Sequence, residues 1–597
     1  MAKHSNKMRK MNPVAQAGDE GILSAEFVLS DWKLVLIHAA IILAAGLWIY
    51  SPAFYGYWVW DDSMYLGQNP LLNDPARLWK AWFQPGSFIE YYPIEQTVQW
   101  VQWQLWGNDT FGYHITNVCL HLLSAFLVWR LLSKFGLRLA WLGGLIFAIH
   151  PMMVESVAWI SELKNTLSLP PFLLAICAWI DYEERGRRAD YLMALAFFLV
   201  AMLCKISMAP FPVIILLYGW WKGGRIGWRD LLASTPFFAI SVILGLITAW
   251  SGICYIQGQL KSPYMVEIGG FFSRFVMAGQ TLSFYFTKCF WPVEPLPMYP
   301  QWKVDPSSPI QFLPWFVLVG AVYWLWRRRK GWGCHALLGL GFFILTLGPF
   351  LGFVPISYLS FTWVMDHFLY VPIIGLIGIV VAGIERVDAR LASSVHPFST
   401  GILTVIMGLM AFESHWYAAA FTNDETLWTY TVDRNPEAWG AHDNLGEIYL
   451  KVNQPEQAKE QFDAVIRLKP ELAPPYVNLA TALLQMGRIP DATEALQQSL
   501  ERDPDAPEAN NNMALLLDQV GHTDEAINRL KRALIRRPLY LDAHNNLGHV
   551  LLRTGRTAEA IEQFQLALKI DPSNATALAS LAGLRPHETP PDAVLKH

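Results

Sequence analysis

EAWGAHDNLGEIYLKVNQPEQAKEQFDAVIRLKP, residues 437–470, is one unit of a pattern that returns every 34 residues. Each unit ends in a proline, and the spacing is the same along the whole series: Pro436, Pro470, Pro504, Pro538 and Pro572. Small residues recur at two positions within the units: Gly446, Ala480, Ala514 and Gly548, then Ala458, Ala492, Ala526 and Ala560. A fixed period with small residues and a terminal proline predicts helical hairpins that stack on one another.

A period of 34 residues is typical of tetratricopeptide repeats, which stack into a groove for peptides. We expect repeats over residues 439–572, with capping helices near 423–434 and 573–584. One asparagine recurs at the sixth position of every repeat, on the helix that lines the groove: Asn444, Asn478, Asn512 and Asn546. These amides could bind the backbone of an extended acceptor peptide. The alternative is that this asparagine belongs to the repeat consensus and only caps or packs.

The chain before the repeats has the composition of a membrane protein. Of its 597 residues, 53% are hydrophobic and only 16% are charged, whereas a soluble domain carries about 25% charged residues. Apolar runs such as residues 32–50 and 337–354 approach or reach the ~20 residues that cross a bilayer. The net charge of −4 gives no indication of nucleic-acid binding.

Clusters of lysine and arginine set the expected topology, because cytoplasmic loops collect these residues. Placing every cluster inside predicts a cytoplasmic tail over residues 1–32 and a membrane domain over 33–420, with the repeats outside. The expected crossings, about 11 of them, lie near residues 33–53, 112–133, 139–150, 167–181, 190–206, 209–221, 231–250, 309–326, 335–354, 368–384 and 399–418.

The same topology gives four external loops, over residues 54–111, 150–166, 251–308 and 355–367. The apolar segment 271–291 lies in the third loop, and we interpret it as an interfacial or re-entrant helix. The repeat domain is expected over residues 421–585, followed by a tail over 586–597. The predicted fold is therefore all-α: a polytopic helical membrane domain followed by an α-solenoid.

Two adjacent carboxylates follow the first crossing, in the segment Trp58-Val59-Trp60-Asp61-Asp62. Neighbouring acids raise each other's pKa, so one can hold a proton near neutrality while the other accepts one. Transfer of a sugar to a hydroxyl group needs a carboxylate base of this kind. Two aspartates at a helix end can equally be solvated side chains without a catalytic role.

The order of motifs along the chain resembles the GT-C superfamily of polyprenyl-phosphate-sugar-dependent glycosyltransferases. More narrowly, it resembles the transmembrane-and-tetratricopeptide-repeat O-mannosyltransferases and their bacterial relatives. The matching segments are Trp60-Asp61-Asp62, Asn69-Pro70, Tyr92-Pro93-Ile94, Gly112-Tyr113-His114-Ile115-Thr116-Asn117 with His121, the run His150–Asn165, Lys205, Lys288, Trp291-Pro292, Tyr299-Pro300, Asp366 and Tyr370-Val371-Pro372.

The resemblance implies that Asp61 or Asp62 is the catalytic base, because this superfamily carries its catalytic acid in the first external loop. Three lysines are expected to bind the phosphate of the lipid donor: Lys164, Lys205 and Lys288. Lys205 interrupts an apolar helix, where an ionisable residue is costly and indicates function, although it can also snorkel to the interface. Other site candidates are Tyr92, His114, His150, Glu155, Tyr299, Asp366, His367 and Tyr370.

Three positions depart from the pattern of the bacterial relatives. These usually have His-Pro at Tyr92-Pro93, Asp-Arg at Asp366-His367 and Glu-Arg at Glu162-Leu163. The missing arginines lower the fixed positive charge of the site, so donor recognition can differ from the family norm. The pattern requires no cofactor and no metal, although Asp61, Asp62 and Glu155 could together hold Mg²⁺ or Mn²⁺.

The sequence therefore predicts a membrane enzyme that moves mannose or another hexose from a polyprenyl-phosphate donor to Ser or Thr of a translocated protein. The repeat groove would hold that acceptor in an extended or unfolded form. The motifs are closest to bacterial relatives, which favours a bacterial inner membrane with the repeats in the periplasm. Two alternatives are an O-antigen ligase or polymerase, with key residues in a late external loop, and a non-enzymatic scaffold for envelope assembly.

Overall fold

The structure is a computed structural model that describes residues 32–67, 72, 74, 76–88, 90–258, 269–353, 357–392 and 394–584. Over these residues the chain forms helices, turns and loops and no β-strand, which confirms the all-α class. The chain forms two compact units, and the boundary between them falls between Asn435 and Pro436. The expected tail 586–597, the expected tail 1–32 except for Trp32, and the motif Asn69-Pro70 lie outside the described residues.

The first unit has a helix at every position where the sequence predicts a crossing. These helices are Trp32–Tyr50, Phe111–Lys134, Ala140–Ile149, Leu163–Arg185, Arg188–Cys204, Phe211–Gly223, Trp228–Gly258, Leu313–Arg327, Gly333–Leu347, Ile373–Asp388 and His396–Ala420. Shorter helices over Arg77–Phe83 and Pro93–Trp106 lie in the first external loop of the predicted topology.

Within the described part of the chain, 7 helices are long and apolar enough to cross a membrane. The number rises to 8 if Ala140–Ile149 and Pro151–Ala158, bent by 62° around His150, form one span. The protein is therefore an integral membrane protein. The larger number of crossings expected from the sequence stays a prediction.

The segment interpreted as interfacial or re-entrant is a helix, Phe271–Phe290. Its middle is buried at Val276 and Met277, whereas Phe271 and Phe272 at its start are exposed. One buried face and one exposed apolar face are typical of a helix that lies between protein and lipid. It is not among the helices that meet the length and hydropathy of a membrane span.

The second unit consists of helical hairpins followed by a final helix. The helices are Trp439–Lys451, Pro455–Leu468, Pro474–Gln485, Ile489–Arg502, Pro507–Gln519, Thr523–Arg536, Leu541–Arg553, Thr557–Ile570 and Ala575–Leu584. A Cβ added at Gly446 would lie 2.6 Å from the ring of Phe462, and one added at Gly548 would lie 2.7 Å from Phe564. Glycine at these two positions therefore lets the helices of a hairpin pack closely, as predicted.

The helix Asp424–Arg434, hereafter the connecting helix, lies in the first unit. The sequence assigned it to the repeats as a cap, within a domain that starts at residue 421. In the structure the Tyr430 hydroxyl donates a hydrogen bond to the Pro295 carbonyl oxygen at 2.9 Å. The boundary between the compact units therefore lies after Asn435.

Candidate active site

Asp62 is fixed by three hydrogen bonds. One of its oxygens accepts from the Ser161 N–H at 2.7 Å and from the Ser161 hydroxyl at 2.5 Å. The other oxygen accepts from the Val59 N–H at 3.1 Å, and the side chain is fully buried. These three donors lower the pKa of the carboxyl, although burial acts more strongly in the opposite direction. Asp62 thereby fastens the turn after the first helix to the segment that carries Ser161.

Asp61 has different surroundings, although it is the adjacent residue. Its Oδ1 atom is buried and has no hydrogen-bond partner among the described residues. Burial raises the pKa of Asp61 from 3.8 to about 7, although the cation of Lys164 acts in the opposite direction. A buried carboxylate oxygen that is unpartnered and titrates near neutrality is suited to accept a proton.

Burial, and not the neighbouring charge, is the main cause of both pKa shifts. It is also the largest cause for Asp62, whose pKa is raised to about 8 with the charge of Asp61 second. From the sequence, the neighbouring acid was named as the cause of the raised pKa. For Asp62 the charge of Asp61 has a smaller effect than burial. Both carboxyls lie in a dry environment, where a lone charge is costly.

Trp60 is held in a left-handed conformation directly before the two aspartates. Its φ is +57°, which costs a non-glycine residue on the order of 1–2 kcal/mol. Its ring stacks on Trp159 at 4.6 Å and meets Trp428 edge-on at 4.9 Å. Backbone strain that is held in place by packing is concentrated at functional sites.

Two of the predicted phosphate-binding lysines share one buried carboxylate, Glu162. Lys164 Nζ lies 3.5 Å from one Glu162 oxygen, and Lys205 Nζ lies 3.8 Å from the other. Lys205 is buried and also donates to Asn165 Oδ1 at 2.6 Å. Lys164 is 25% exposed, and its second carboxylate neighbour, Glu90, is 3.8 Å away. Lys164 is therefore the more accessible of the two cations.

Lys288, the third predicted lysine, binds carbonyl oxygens of its own segment. Its Nζ donates to Val293 O at 2.6 Å and lies 3.2 Å from Glu294 O. The same ammonium group lies 5.0 Å from the centre of the Tyr299 ring. Lys288 thus stabilises the turn after Phe271–Phe290 and contacts Tyr299, and no recorded contact joins it to Lys164 or Lys205 in the described residues.

Glu155 connects the second external loop of the predicted topology to the fourth. One oxygen accepts from the backbone N–H groups of Asp366 and His367 at 2.9 and 3.3 Å, and the other lies 2.9 Å from His367 Nδ1. The Tyr299 hydroxyl donates to Asp366 Oδ1 at 2.7 Å. Burial raises the pKa of Asp366 to about 7. Its Oδ2 has no hydrogen-bond partner within the described ranges.

His367 joins these contacts to the lysine pair, because its Nε2 lies 3.9 Å from Glu162 Oε1. Tyr92 lies beside the same group, since its hydroxyl donates to Glu90 at 3.3 Å. The structure therefore brings most of the predicted residues into one polar region, hereafter the polar network: Tyr92, Glu155, Lys164, Lys205, Tyr299, Asp366 and His367.

Three other predicted residues are not part of the polar network. His150 Nδ1 accepts from the Met152 N–H at 3.3 Å and its Nε2 lies 3.2 Å from the Cys289 carbonyl, so it supports the bend between two helices. The Tyr370 hydroxyl lies 3.1 Å from His121 Nδ1. The third, His114, is fully buried, and neither ring nitrogen has a hydrogen-bond partner among the described residues.

Sequence reasoning did not select Ser161, Glu162 or Glu90 as site residues. Ser161 and Glu162 lie in the turn before Leu163–Arg185, close to Lys164, and their positions in that motif could have identified them. Glu162 was noted only because no arginine follows it. Glu90 could not be found this way, since only the fold brings it near Lys164.

In the described part of the chain, no group of three or more His, Cys, Asp or Glu side chains is arranged to hold a metal ion. Two of the ligands considered from the sequence, Asp62 and Glu155, accept hydrogen bonds from backbone N–H groups instead. These residues do not fit a shared ion. The proposed reaction therefore involves no metal ion.

The recurring asparagines lie on the first helix of each repeat and are half-buried: Asn444, Asn478, Asn512 and Asn546. Asn478 donates to Asp443 at 3.1 Å, and Asn546 donates to Asn511 at 2.9 Å, so each of these amides joins neighbouring repeats. Asn444 donates to a carbonyl of its own helix at 2.7 Å. Asn512 accepts from Asn511 at 3.1 Å.

Comparisons with known proteins identify two kinds of segment. Residues 93–251 match the family model of the dolichyl-phosphate-mannose-protein mannosyltransferases. Residues 449–516 and 511–575 match tetratricopeptide repeat models. A crystal structure of YrrB, a tetratricopeptide repeat protein, is 20% identical and covers 34% of this chain and 96% of its own, with a TM-score of 0.22.

The chain is also similar to curated protein O-mannosyl-transferases. Protein O-mannosyl-transferase Tmtc3 of Drosophila melanogaster is 21% identical over 459 residues, which is 64% of this chain and 49% of the relative. Human protein O-mannosyl-transferase TMTC1 is 27% identical over 161 residues, 25% of this chain and 18% of its own. The chain thus spans about half the length of the first of these relatives.

The fold and the site define the class of this protein. It is an all-helical membrane protein with a buried polar network, followed by tetratricopeptide repeats. The chain is a relative of the transmembrane-and-tetratricopeptide-repeat protein O-mannosyl-transferases.

Proposed function

We propose that this protein is a membrane glycosyltransferase that moves mannose or another hexose from a polyprenyl-phosphate donor to Ser or Thr of a protein. The observation that carries the proposal is the buried oxygen of Asp61 that has no partner in the described part of the chain, next to an Asp62 that is fixed by three hydrogen bonds. The names of the relatives support the same class of reaction.

In the proposed reaction, the acceptor hydroxyl oxygen attacks the anomeric carbon of the donor sugar. Its proton passes to the unpartnered oxygen of Asp61. The bond between the anomeric carbon and the phosphate oxygen breaks, and its electron pair stays on the lipid phosphate. Lys164, whose side chain is 25% exposed, stabilises the charge that develops on this phosphate.

Glu162 has a supporting role in this proposal. It lies between Lys164 and Lys205 and forms an ion pair with each, at 3.5 and 3.8 Å, which holds both cations near the site. Removing Glu162 would leave two like charges together at low dielectric, which is unfavourable. Lys205 acts through this arrangement and through Asn165, because its ammonium group is buried.

We place the site and the repeats on the external side of the membrane, because the basic clusters of the sequence favour cytoplasmic loops. A lipid-linked donor and a translocated acceptor would meet there. An O-antigen ligase or polymerase is less compatible, since its key residues would lie in a late external loop, whereas the proposed base Asp61 and the cation Lys164 lie in the first two external loops of the predicted topology. A scaffold would have no need for a buried carboxylate oxygen without a partner.

The test is sugar transfer by the full-length protein in lipid vesicles, with radiolabelled polyprenyl-phosphate mannose and glucose and a Ser/Thr-rich acceptor polypeptide. Asp61→Asn should lower transfer by about 10²-fold or more. Asp109→Asn is the matched control, because Asp109 belongs to the same loop but is exposed. No transfer by the wild type with either donor would contradict the proposal, as would full activity of Asp61→Asn.

A further inference from the structure

The start of the connecting helix is bonded to the turn that carries Asp61. The Trp60 N–H donates to Asp424 Oδ1 at 2.6 Å, a short hydrogen bond to a charged acceptor. Close by, the Tyr57 N–H donates to the Thr422 carbonyl oxygen at 2.8 Å. Two backbone groups of the turn are thus fixed by residues that lie more than 350 positions later in the chain.

The hydrogen bond to Asp424 acts on the strained residue of the turn. Trp60 has φ = +57°, a conformation that a tryptophan adopts only when its surroundings hold it there. Trp159 and Trp428 fix its ring on two sides, and Asp424 fixes its N–H. Loss of the acceptor would leave a partly buried N–H unpaired and would favour relaxation of φ to negative values.

A change of φ at Trp60 would redirect the residue that follows it. Asp61 Oδ1 has no hydrogen-bond partner among the described residues, so the direction of this oxygen follows the backbone of the turn. Asp62 is held independently by Ser161, so the turn would keep its anchor while Asp61 moved. The proton-accepting oxygen is therefore the part of the turn most sensitive to Trp60.

The connecting helix also fastens a second segment of the site. Tyr430 donates to the Pro295 carbonyl at 2.9 Å, and the Asn435 side chain donates to the Met298 carbonyl at 2.9 Å. The next residue, Tyr299, is the one that donates to Asp366. One helix therefore contacts both the Asp61 turn and the segment that supplies Tyr299 to the polar network.

We propose that Asp424 is a positioning residue for Asp61, acting through the Trp60 N–H. The connecting helix is then a structural part of the active site and is not only a link to the repeats. This inference rests on the proposed function, in which Asp61 is the proton acceptor. Asp424 does not touch the reacting atoms; it sets the direction of the carboxylate that does.

The test compares Asp424→Ala, Asp424→Asn and Asn423→Ala in the full-length protein, with sugar transfer measured at several donor concentrations and pH values. Asp424→Ala removes the acceptor and should lower kcat by about 10- to 100-fold with an unchanged KM for the donor. Asp424→Asn keeps an oxygen that can accept the same N–H and should restore kcat to within about 3-fold of wild type.

Asn423→Ala is the matched control for helix stability. The Asn423 side chain caps the connecting helix by accepting from the Thr426 N–H at 2.9 Å, and within the described ranges it has no hydrogen bond to Trp60. This variant should lower the melting temperature and leave kcat near wild type.

In Asp424→Ala the rise of kcat with pH should also move to lower pH, because a displaced Asp61 is better solvated and its pKa falls.

Three results would overturn the inference while the proposed function stands: wild-type kcat in Asp424→Ala, an equal loss of kcat in Asn423→Ala, or no recovery in Asp424→Asn. A wild-type protein that transfers no sugar would instead remove the proposed function, and the positioning role with it. A lower kcat in Asp424→Ala with recovery in Asp424→Asn supports both.

Discussion

Ser161 donates two hydrogen bonds to one oxygen of Asp62, at 2.7 Å from its N–H and 2.5 Å from its hydroxyl. The two residues are far apart in the chain, and their contact fastens the turn after the first helix to the turn before Leu163–Arg185. Asp61, one position earlier, has an oxygen without any partner among the described residues. We infer that the adjacent aspartates divide their tasks, with Asp62 structural and Asp61 chemical.

This division predicts different effects of the same substitution at the two positions. Asp61→Asn should lower kcat by about 10²-fold or more and leave the melting temperature nearly unchanged. Asp62→Asn should lower stability by about 1–3 kcal/mol, because its amide nitrogen would face either the Val59 N–H or the two donors of Ser161. Thermal unfolding and transfer assays on both variants would measure the difference. Identical behaviour of the two would contradict the assignment.

The activity should rise with pH through about 7, since burial raises the pKa of Asp61 to that value. A general base works as the carboxylate, so the protonated enzyme below this pH is inactive. The effect on stability has the opposite sign. The folded protein binds this proton more tightly than the unfolded chain, so stability falls as the pH rises from about 4 to 7. A pH profile of kcat that is flat between 5 and 8 would exclude Asp61 as the base.

Lys164→Ala should weaken donor binding more than it affects folding. A hydrogen bond to a charged group contributes about 1.5–3 kcal/mol, so KM for the donor should rise by about 10- to 100-fold. Lys303→Ala is the control, because Lys303 is an exposed lysine in an external loop of the predicted topology. An unchanged KM in Lys164→Ala would assign the phosphate to another cation.

Much of the fold could be predicted from the sequence, because the repeats have a fixed period and the membrane helices are long apolar runs. The 34-residue spacing placed all four hairpins, and the close contact of Gly446 with Phe462 gives the physical reason for one of its small residues. The apolar runs placed a helix at each expected crossing. The connecting helix was expected in the repeat domain, whereas the structure groups it with the first unit, because its contacts, such as that of Trp428 with Trp60, join distant parts of the chain.

The sequence predicted which residues belong to the site but not how they are arranged in space. The motifs named Asp61, Asp62 and Lys164, and the structure places them close together. Their separate roles depend on which oxygen is partnered, as in the pairing of Asp62 with Ser161, and a linear sequence does not contain that information. Lys288 was grouped with the other lysines by its charge, its expected external position and its place in the motif series, whereas its contacts are with carbonyl oxygens and Tyr299.

The proposed topology predicts the behaviour of two reporter fusions. A reporter that is active only outside the cytoplasm should be active when fused after Leu584 and inactive when fused after Arg329. The physical reason is the basic cluster Arg327–Lys330, which favours the cytoplasmic side. Activity at Arg329 would reverse the orientation of this part of the chain and would place the repeats in the cytoplasm.

The repeat asparagines should contribute to acceptor binding. Asn478 and Asn546 each use one N–H to join neighbouring repeats, which leaves the second N–H and the carbonyl oxygen of each amide for a peptide backbone. At about 0.5–1.5 kcal/mol for each contact, replacing Asn478, Asn512 and Asn546 by Ala should lower use of a protein acceptor by roughly 10- to 10³-fold. Transfer to a short soluble acceptor should barely change.

Asn511→Ala separates binding by these amides from their effect on stability. It removes the hydrogen-bond partner of Asn546, and so that contact between repeats, but keeps the recurring asparagines Asn478, Asn512 and Asn546. Acceptor use by Asn511→Ala should stay near wild type. The triple substitution should affect acceptors of different sequence equally, because contacts with the peptide backbone do not depend on the side chains of the acceptor. An equal loss in Asn511→Ala would show that these asparagines stabilise the solenoid and do not hold the acceptor.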